Sequence, residues 1–401
     1  MPVTLHLTPE AERAVRFGHP WVYAEGVLRS KKPAQTGDLA AVYDRRNRFL
    51  ALGLYDAESP IRIRILQRHA PAPITAAWFR ERLLAALAKR EARLGDPDTT
   101  GWRLVHGEND DLPGLVVDQY DATLVLKLYT GAWGPHLPAV LAALAEAVPS
   151  ERVVLRLSRQ AQQSLAMAGR RNGQVLAGAA VSGPVIFRER GLRFAADVVR
   201  GQKTGFFLDQ RENRARVEAM SRGRRVLDLF AYTGAFALSA ARGGASHVTM
   251  VEESRAALAA AEQQAKLNKT VGGIRHASFT AIVGNAFDVL ARLSKRRRTY
   301  DLVILDPPSF AKSQAEVPRA LAAYRRLAGL AFTVLEPKGM LVYACCSGHV
   351  AEDKFFAAVH QAARATHRTV RELARTRQPF DHPVTFPEGA HLKCLFATVG
   401  G

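Results

Sequence analysis

Val226-Leu227-Asp228-Leu229-Phe230-Ala231-Tyr232-Thr233-Gly234, running on into the helix-forming stretch Ala235 to Arg242, reads as a buried strand, a turn and a helix. Apolar residues surround a single acid, the pattern of a strand covered on both faces. Short runs of the same kind follow at His247 to Val251, Ala281 to Gly284, Leu302 to Leu305, Gly339 to Ala344 and Leu392 to Thr398, with helical segments between them. Strand and helix in regular alternation imply an α/β domain with a mostly parallel sheet. Such sheets take ligands in the crevice beyond the carboxyl ends of their strands. The chemistry is therefore expected in the loops that follow those strands.

A dinucleotide site would require Gly-x-Gly-x-x-Gly in the first loop, so that a pyrophosphate could rest on the helix N-terminus. That pattern is absent. One glycine, Gly234, and an acid at the strand end, Asp228, suit a phosphate-free ligand with an ammonium group, as in S-adenosylmethionine. Tyr232 and Thr233 belong to the same loop. The second strand runs to Glu252, about twenty residues downstream, where a carboxylate can accept both hydroxyls of a ribose. The third ends at Gly284-Asn285-Ala286, and Asn285 can hydrogen-bond an adenine edge; a turn-forming asparagine is the competing reading.

The fourth strand runs into Asp306-Pro307-Pro308-Ser309-Phe310. Consecutive prolines fix an extended backbone and supply no N–H donors, so their carbonyls and Asp306 address whatever lies past the sheet edge. Phe310 is placed to stack on a nucleobase drawn out of its helix. The fifth strand ends in Ala344-Cys345-Cys346-Ser347-Gly348-His349, which puts a thiol at the same edge. Carbon-5 of a pyrimidine is a poor nucleophile until a thiolate adds to carbon-6, and Cys346 is the candidate for that catalytic thiolate. Neighbours on a strand face opposite ways, so only one of Cys345 and Cys346 can address the site. Cys394 reads as a small buried hydrophobe, and no zinc-ligand spacing occurs, so no metal is expected.

The chain has 401 residues, too many for one ordinary core, so two or three domains are expected. Residues 1–70 alternate short apolar runs with Gly, Asp and Asn turn signals, the mark of a small β-barrel. Arg45, Arg46 and Arg48 fall in one of its turns, and Arg62 and Arg64 on one face of a strand, a basic face that suits phosphate. Residues 71–190 hold a helix from Ala76 to Leu94, read as a connector, and a central α+β unit; residues 191–401 hold the alternating α/β domain. A net charge of +19 and a pI near 10.3 favour a polyanionic partner such as nucleic acid. No basic start with an apolar core opens the chain, and no run of about 18 apolar residues could span a bilayer. A cytoplasmic location without a membrane partner is expected.

With these residues in hand, the chain resembles the large-subunit (23S) ribosomal RNA methyltransferase I family over nearly its whole length. His19-Pro20-Trp21-Val22-Tyr23 is similar to that family's N-terminal PUA domain, and Gly107-Glu108-Asn109-Asp110-Asp111-Leu112-Pro113-Gly114 to its middle domain. Gln202-Lys203-Thr204-Gly205-Phe206-Phe207-Leu208-Asp209-Gln210-Arg211 is similar to a stretch that precedes the first sheet strand and helps wall the cofactor site. Arg377-Gln378-Pro379-Phe380-Asp381-His382-Pro383-Val384 and Pro387-Glu388-Gly389 continue the match.

The resemblance implies a class I (Rossmann-like) methyltransferase domain after a PUA-like β-domain and a central α+β domain, with S-adenosyl-L-methionine as cofactor and 23S rRNA as partner. It implies that Asp228, Thr233, Gly234, Glu252 and Asp306 line the cofactor and acceptor pocket. Cys346 stands at the position of the catalytic cysteine, forming 5-methylcytosine. Three departures stand out. Asn285 replaces a usual Asp, Cys345 a common Ser, and Pro308 occupies the place where several 5-methylcytosine enzymes carry a second cysteine that helps product leave. Two rival readings are methylation of an exocyclic amine, which needs the Asp-Pro-Pro loop and no thiol, and a non-catalytic RNA-binding protein. A homodimer is a candidate assembly.

Overall fold

The strand that carries Asp228 is an interior strand of a seven-stranded sheet in the computed structural model, which describes residues 2–28 and 33–400. Residues 1, 29–32 and 401, which fall in the expected 1–70 and 191–401 domains, lie outside the described residues. The strands are β1 (Arg225–Leu229), β2 (His247–Glu252), β3 (Ser278–Val283), β4 (Tyr300–Leu305), β5 (Leu335–Cys345), β6 (Thr369–Arg377) and β7 (Lys393–Gly400). Their order is β3-β2-β1-β4-β5-β7-β6. Strands β3, β2, β1, β4 and β5 are parallel, while β7 runs antiparallel to both its neighbours. The order reverses direction at β1, so the crevice beyond Leu229 is the switch point at which such sheets take ligands.

The helices that accompany the sheet include α1 (Arg211–Ala219), α2 (Ala235–Arg242), α3 (Arg255–Leu267), α4 (Ala286–Lys295), α5 (Val317–Val334) and α6 (Glu352–Ala365). Leu227 and Leu229 of β1, Val303 and Leu305 of β4, and Leu341 and Tyr343 of β5 are fully buried with Tyr324 of α5 and Phe355 of α6. Spaced two apart, they share one face of the sheet and pair across it, Leu227 with Val303 and Val303 with Leu341. A slip of one residue would turn this whole set to the opposite face, so burial fixes the register.

Sequence patterning missed β6. Its outward side carries Arg371, Arg375 and Arg377, and its other side is only half-buried. An edge strand studded with charge resists pairing with other chains, and the same charges erase the apolar run by which a strand is recognised.

The sheet and its helices form one of two units, made of Leu192–Phe194, Asp209–Pro379 and Pro387–Gly401. The other comprises Met1–Gly191, Ala195–Leu208 and Phe380–Phe386. Its N-terminal part is a five-stranded sheet with Val3–His6, Leu39–Tyr43, Phe49–Tyr55, Ile61–Arg68 and Trp21–Tyr23 side by side in that order. The basic face expected on Ile61–Arg68 is largely engaged within the protein. Arg64 is buried and donates to Glu108 Oε1 at 3.1 Å, which also accepts from Trp21 Nε1 at 2.8 Å. Arg62 donates to the Asp56 carbonyl at 3.0 Å, and Arg48 to Asp44 Oδ2 at 2.8 Å. A guanidinium taken out of water needs such partners.

A second sheet in this unit sets Val175–Gly178, Arg152–Leu157, Thr123–Leu128, Leu115–Tyr120 and Gly101–His106 side by side. The helix expected from Ala76 to Leu94 divides into Ala76–Ala88 and Glu91–Leu94. Rather than spanning solvent as a connector, the first piece buries Trp78, Phe79, Leu83 and Ala86 in one core with Trp102, Trp133 and Leu144. The division falls at Arg90, whose side chain turns inward. It meets Asp110 Oδ2 at 2.7 Å and the carbonyls of Arg103, Ala86 and Asp381 at 2.6, 2.7 and 3.0 Å, with both ionic side chains fully buried. No helix among the described residues is long and apolar enough to cross a membrane.

Removing one member of a buried ion pair leaves the other charge uncompensated. Arg90→Ala is therefore expected to cost about 3–5 kcal/mol of unfolding free energy. Urea denaturation measures it, and a loss below about 1 kcal/mol, the worth of an exposed pair, would show that Arg90 does not support this core.

Candidate active site

Beyond Leu229 the chain turns sharply, with φ of 62° at Phe230, 47° at Tyr232 and 76° at Gly234. Two of these residues carry side chains, so the loop stores backbone strain of the kind that persists where surroundings enforce it. Glu252, at the end of β2, enforces it by accepting from the Tyr232 N–H at 3.0 Å while also accepting from the Ser254 N–H at 3.0 Å. Gln264 of α3 donates to the Thr233 carbonyl at 2.8 Å. A Cβ at Gly234 would come within 2.8 Å of Ala261 Cβ and 3.3 Å of Met250 Sδ, so glycine is required for space as well as for φ.

Asp228 points to the face of β1 opposite the Leu227 and Leu229 core and is 1% exposed. Its Oδ2 accepts from the Ala237 N–H of α2 at 3.1 Å, while its Oδ1 is buried with no hydrogen-bond partner among the described residues. Burial, reinforced by the carboxylates of Asp306 and Glu252, pushes its pKa well above the ordinary aspartate value. Three carboxylates thus lie within electrostatic reach of one another at a single sheet edge. Asn285 lies just beyond the end of β3. Its side-chain oxygen accepts from the Phe287 N–H at 3.0 Å as the cap of α4, and its Nδ2 donates to Glu253 Oε1 at 2.7 Å.

At the ends of β4 and β5 the sheet brings Cys346 Sγ to 3.6 Å from Asp306 Oδ1. The two adjacent cysteines part company here. Cys345 lies fully buried in the core against Tyr324, where burial pushes its thiol up, whereas Cys346 is half-buried at the edge. Cys394 is also fully buried, with its pKa raised for the same reason. Phe310 is half-buried, its ring 4.7 Å from that of Tyr324 and 6.4 Å from that of Phe287, so part of it belongs to an aromatic cluster.

Three residues that the sequence reading did not single out complete the edge. Gln210 Nε2 donates to Asp306 Oδ1 at 2.9 Å, and Asn213 Nδ2 donates to Gln210 Oε1 at 2.6 Å. Lys393, buried at the start of β7, donates to the carbonyls of Ser347 and Val350 at 2.6 Å each and so clamps the loop after Cys346. Gln210 belongs to the Gln202 to Arg211 stretch, but its partner is 96 residues away, and no local pattern announces such a contact.

The donor set matches the chemistry of S-adenosylmethionine. Its cationic groups suit a loop with an excess of carboxylate and an orphaned, buried aspartate oxygen, and Glu252 retains lone pairs for ribose hydroxyls. Sheet order, strained loop and acidic strand ends together define an S-adenosylmethionine-dependent methyltransferase fold. The family model described as S-adenosylmethionine-dependent methyltransferase matches residues 109–397, and that of a PUA-like domain matches residues 5–68. A ribosomal RNA large subunit methyltransferase of Deinococcus radiodurans is 47% identical over 98% of this chain and 96% of its own. The ribosomal RNA large subunit methyltransferase I of Shewanella denitrificans is 34% identical over 100% of both chains. Among solved structures, a SAM-dependent methyltransferase from Streptococcus mutans superposes with a TM-score of 0.84 at 20% identity, over 99% of this chain and 100% of that one. A methyltransferase complexed with SAH gives the same TM-score and coverage. The chain belongs to the ribosomal RNA large subunit methyltransferase I family.

Because the folded state holds the Asp228 proton at pH values where the unfolded chain has released it, this carboxyl opposes folding increasingly as pH rises from the ordinary aspartate range to its raised value. Asp228→Asn removes the buried charge. The unliganded variant is expected to melt above the parent at pH 8, with the gap closing near pH 4; a variant that melts lower at pH 8 contradicts the assignment.

Proposed function

We propose that this protein methylates carbon-5 of a cytosine in 23S ribosomal RNA through a Cys346 thiolate adduct at carbon-6. The observation that carries the reading is the 3.6 Å approach of Cys346 Sγ to Asp306 at the sheet edge where β1 and β2, with Asp228 and Glu252, also end. The relatives' names place their activity on large-subunit ribosomal RNA, and a net charge of +19 suits a polyanionic partner.

The cofactor, when bound, supplies an electrophilic methyl group. Asp228 would face its ammonium and Glu252 its ribose hydroxyls, while Tyr232, Thr233 and Gly234 would hold its methionine portion and Asn285 its adenine. Asp306 holds the cytosine by accepting from its exocyclic amine. The Cys346 thiolate forms a bond to carbon-6, and the electron pair displaced from the ring double bond makes carbon-5 nucleophilic enough to take the methyl group. Loss of the carbon-5 proton to a base or water then restores the double bond and expels the thiolate. Pro308 offers no second thiol for that last step.

Cys346→Ala is expected to abolish methyl transfer to 23S rRNA while leaving S-adenosylmethionine binding within about threefold of the parent, a change of under 1 kcal/mol. Retained transfer would overturn the carbon-5 mechanism in favour of exocyclic-amine methylation. Failure of the parent protein to bind the cofactor in calorimetry would favour a non-catalytic RNA-binding role. Mass mapping of rRNA from cells lacking the protein identifies the base.

Asp228→Asn is expected to weaken S-adenosylmethionine at least tenfold, about 1.4 kcal/mol, because the ammonium loses its buried counter-charge. The parent's own affinity should fall as pH drops through the raised Asp228 range, since a protonated carboxyl no longer attracts a cation. A pH-independent affinity in the parent would remove Asp228 from the cofactor site.

A further inference from the structure

Gln210 lies immediately before α1, is 1% exposed, and has no charge to contribute, yet its side-chain amide reaches the two reacting-edge residues contributed by β4 and β5. One amide nitrogen serves both, with Nε2 at 2.9 Å from Asp306 Oδ1 and 3.9 Å from Cys346 Sγ. A primary amide has two N–H donors, so both can be aimed at the edge only if the group cannot flip. The surroundings prevent the flip. Asn213 Nδ2 donates to Gln210 Oε1 at 2.6 Å, and Asn213 Oδ1 accepts from Thr376 Oγ1 of β6 at 2.6 Å. The Asp306 carboxylate only accepts, which turns Gln210 Nε2 toward the edge and its Oε1 toward Asn213 Nδ2, leaving Asn213 Oδ1 to accept from Thr376. All five side chains, those of Gln210, Asn213, Asp306, Cys346 and Thr376, belong to the unit of the seven-stranded sheet.

We propose that Gln210, locked by Asn213 and Thr376, is a positioning residue that holds Asp306 in place and stabilises the thiolate form of Cys346. This rests on the reading of Cys346 as the nucleophile. The titratable groups that face Cys346 include Asp306 at the end of β4, Lys393 on β7, Tyr324 on α5 and Cys345 beside it on the strand. Asp306 opposes a second negative charge 3.6 Å away, Lys393 favours it, and Tyr324 and the Cys345 thiol are neutral at physiological pH. Donation to sulfur favours the thiolate, and donation of the companion N–H to Asp306 draws off part of the opposing charge. The thiol proton departs to solvent, so no further reactant is needed.

The test reads the thiol itself. Iodoacetamide alkylation of the full-length protein is followed across pH, with Cys346→Ala supplying the background from the buried Cys345 and Cys394. Gln210→Met keeps the side-chain size and removes both donors; Gln210→Glu keeps the shape and adds a negative charge. Both are expected to alkylate about ten- to a hundredfold more slowly than the parent at neutral pH, the factor a hydrogen bond to a charged group is worth. The pH at half-maximal rate should move upward, further in Gln210→Glu. A role confined to packing would leave that midpoint unmoved. Rates within twofold of the parent and an unshifted midpoint in either folded variant overturn the proposal. Because alkylation needs no RNA, it separates two failures: if Cys346→Ala retains methyl transfer, the carbon-5 mechanism falls, whereas a normal alkylation profile in the Gln210 variants removes Gln210 alone.

Discussion

The parallel register of β2, β1, β4 and β5 is the constraint on which the site depends. Each of these strands ends in a residue with chemistry, Glu252, Asp228, Asp306 and Cys346, at or within a residue or two of its last paired position. Parallel strands bring their carboxyl ends to one edge, and the fully buried face of Leu227, Leu229, Val303, Leu305, Leu341 and Tyr343 prevents any strand from slipping. Residues scattered over more than a hundred positions of sequence are thereby gathered by strand pairing and hydrophobic packing. The polar groups of the edge do not create this arrangement; they occupy it.

Those polar groups oppose one another. Asp228, Asp306 and Glu252 raise the cost of ionising the most buried of them, and the loop between β1 and α2 holds two side-chain residues at positive φ. Unfavourable charge and backbone strain in the same few residues are what a site preorganised for a cationic ligand requires, since binding supplies the missing counter-charge. The packed sheet beneath is stable enough to tolerate both.

The other unit uses its arginines in an unlike way from what the overall charge suggests. Arg90 and Arg64 are buried against Asp110 and Glu108, so part of the basic composition holds the fold together and is not available to phosphate. The strongly positive total must therefore act through the exposed remainder, such as Arg46 and the Lys295-Arg296-Arg297-Arg298 run that closes α4.

Much of this was legible from the order of residues. Continuous apolar runs flanked by helices specify a parallel sheet, and a single acid or thiol at the end of such a run must fall at the ligand edge, because strand direction alone determines it. Asp228, Glu252, Asp306 and Cys346 were expected at that edge on that ground, and their strands do end there. Other features depend on contacts that no local pattern encodes. β6 lacks an apolar run because it is a charged edge; Asn285 serves as a helix cap; Phe310 is drawn into a ring cluster with Tyr324. Cys345 and Cys346 are equivalent in sequence, and only packing against Tyr324 sends one thiol into the core and leaves the other beside Asp306. Gln210 meets partners 96 and 136 residues distant. Sequence periodicity determines which face a side chain occupies, whereas its partner across space is decided only once the sheet has closed and buried polar groups must find one another.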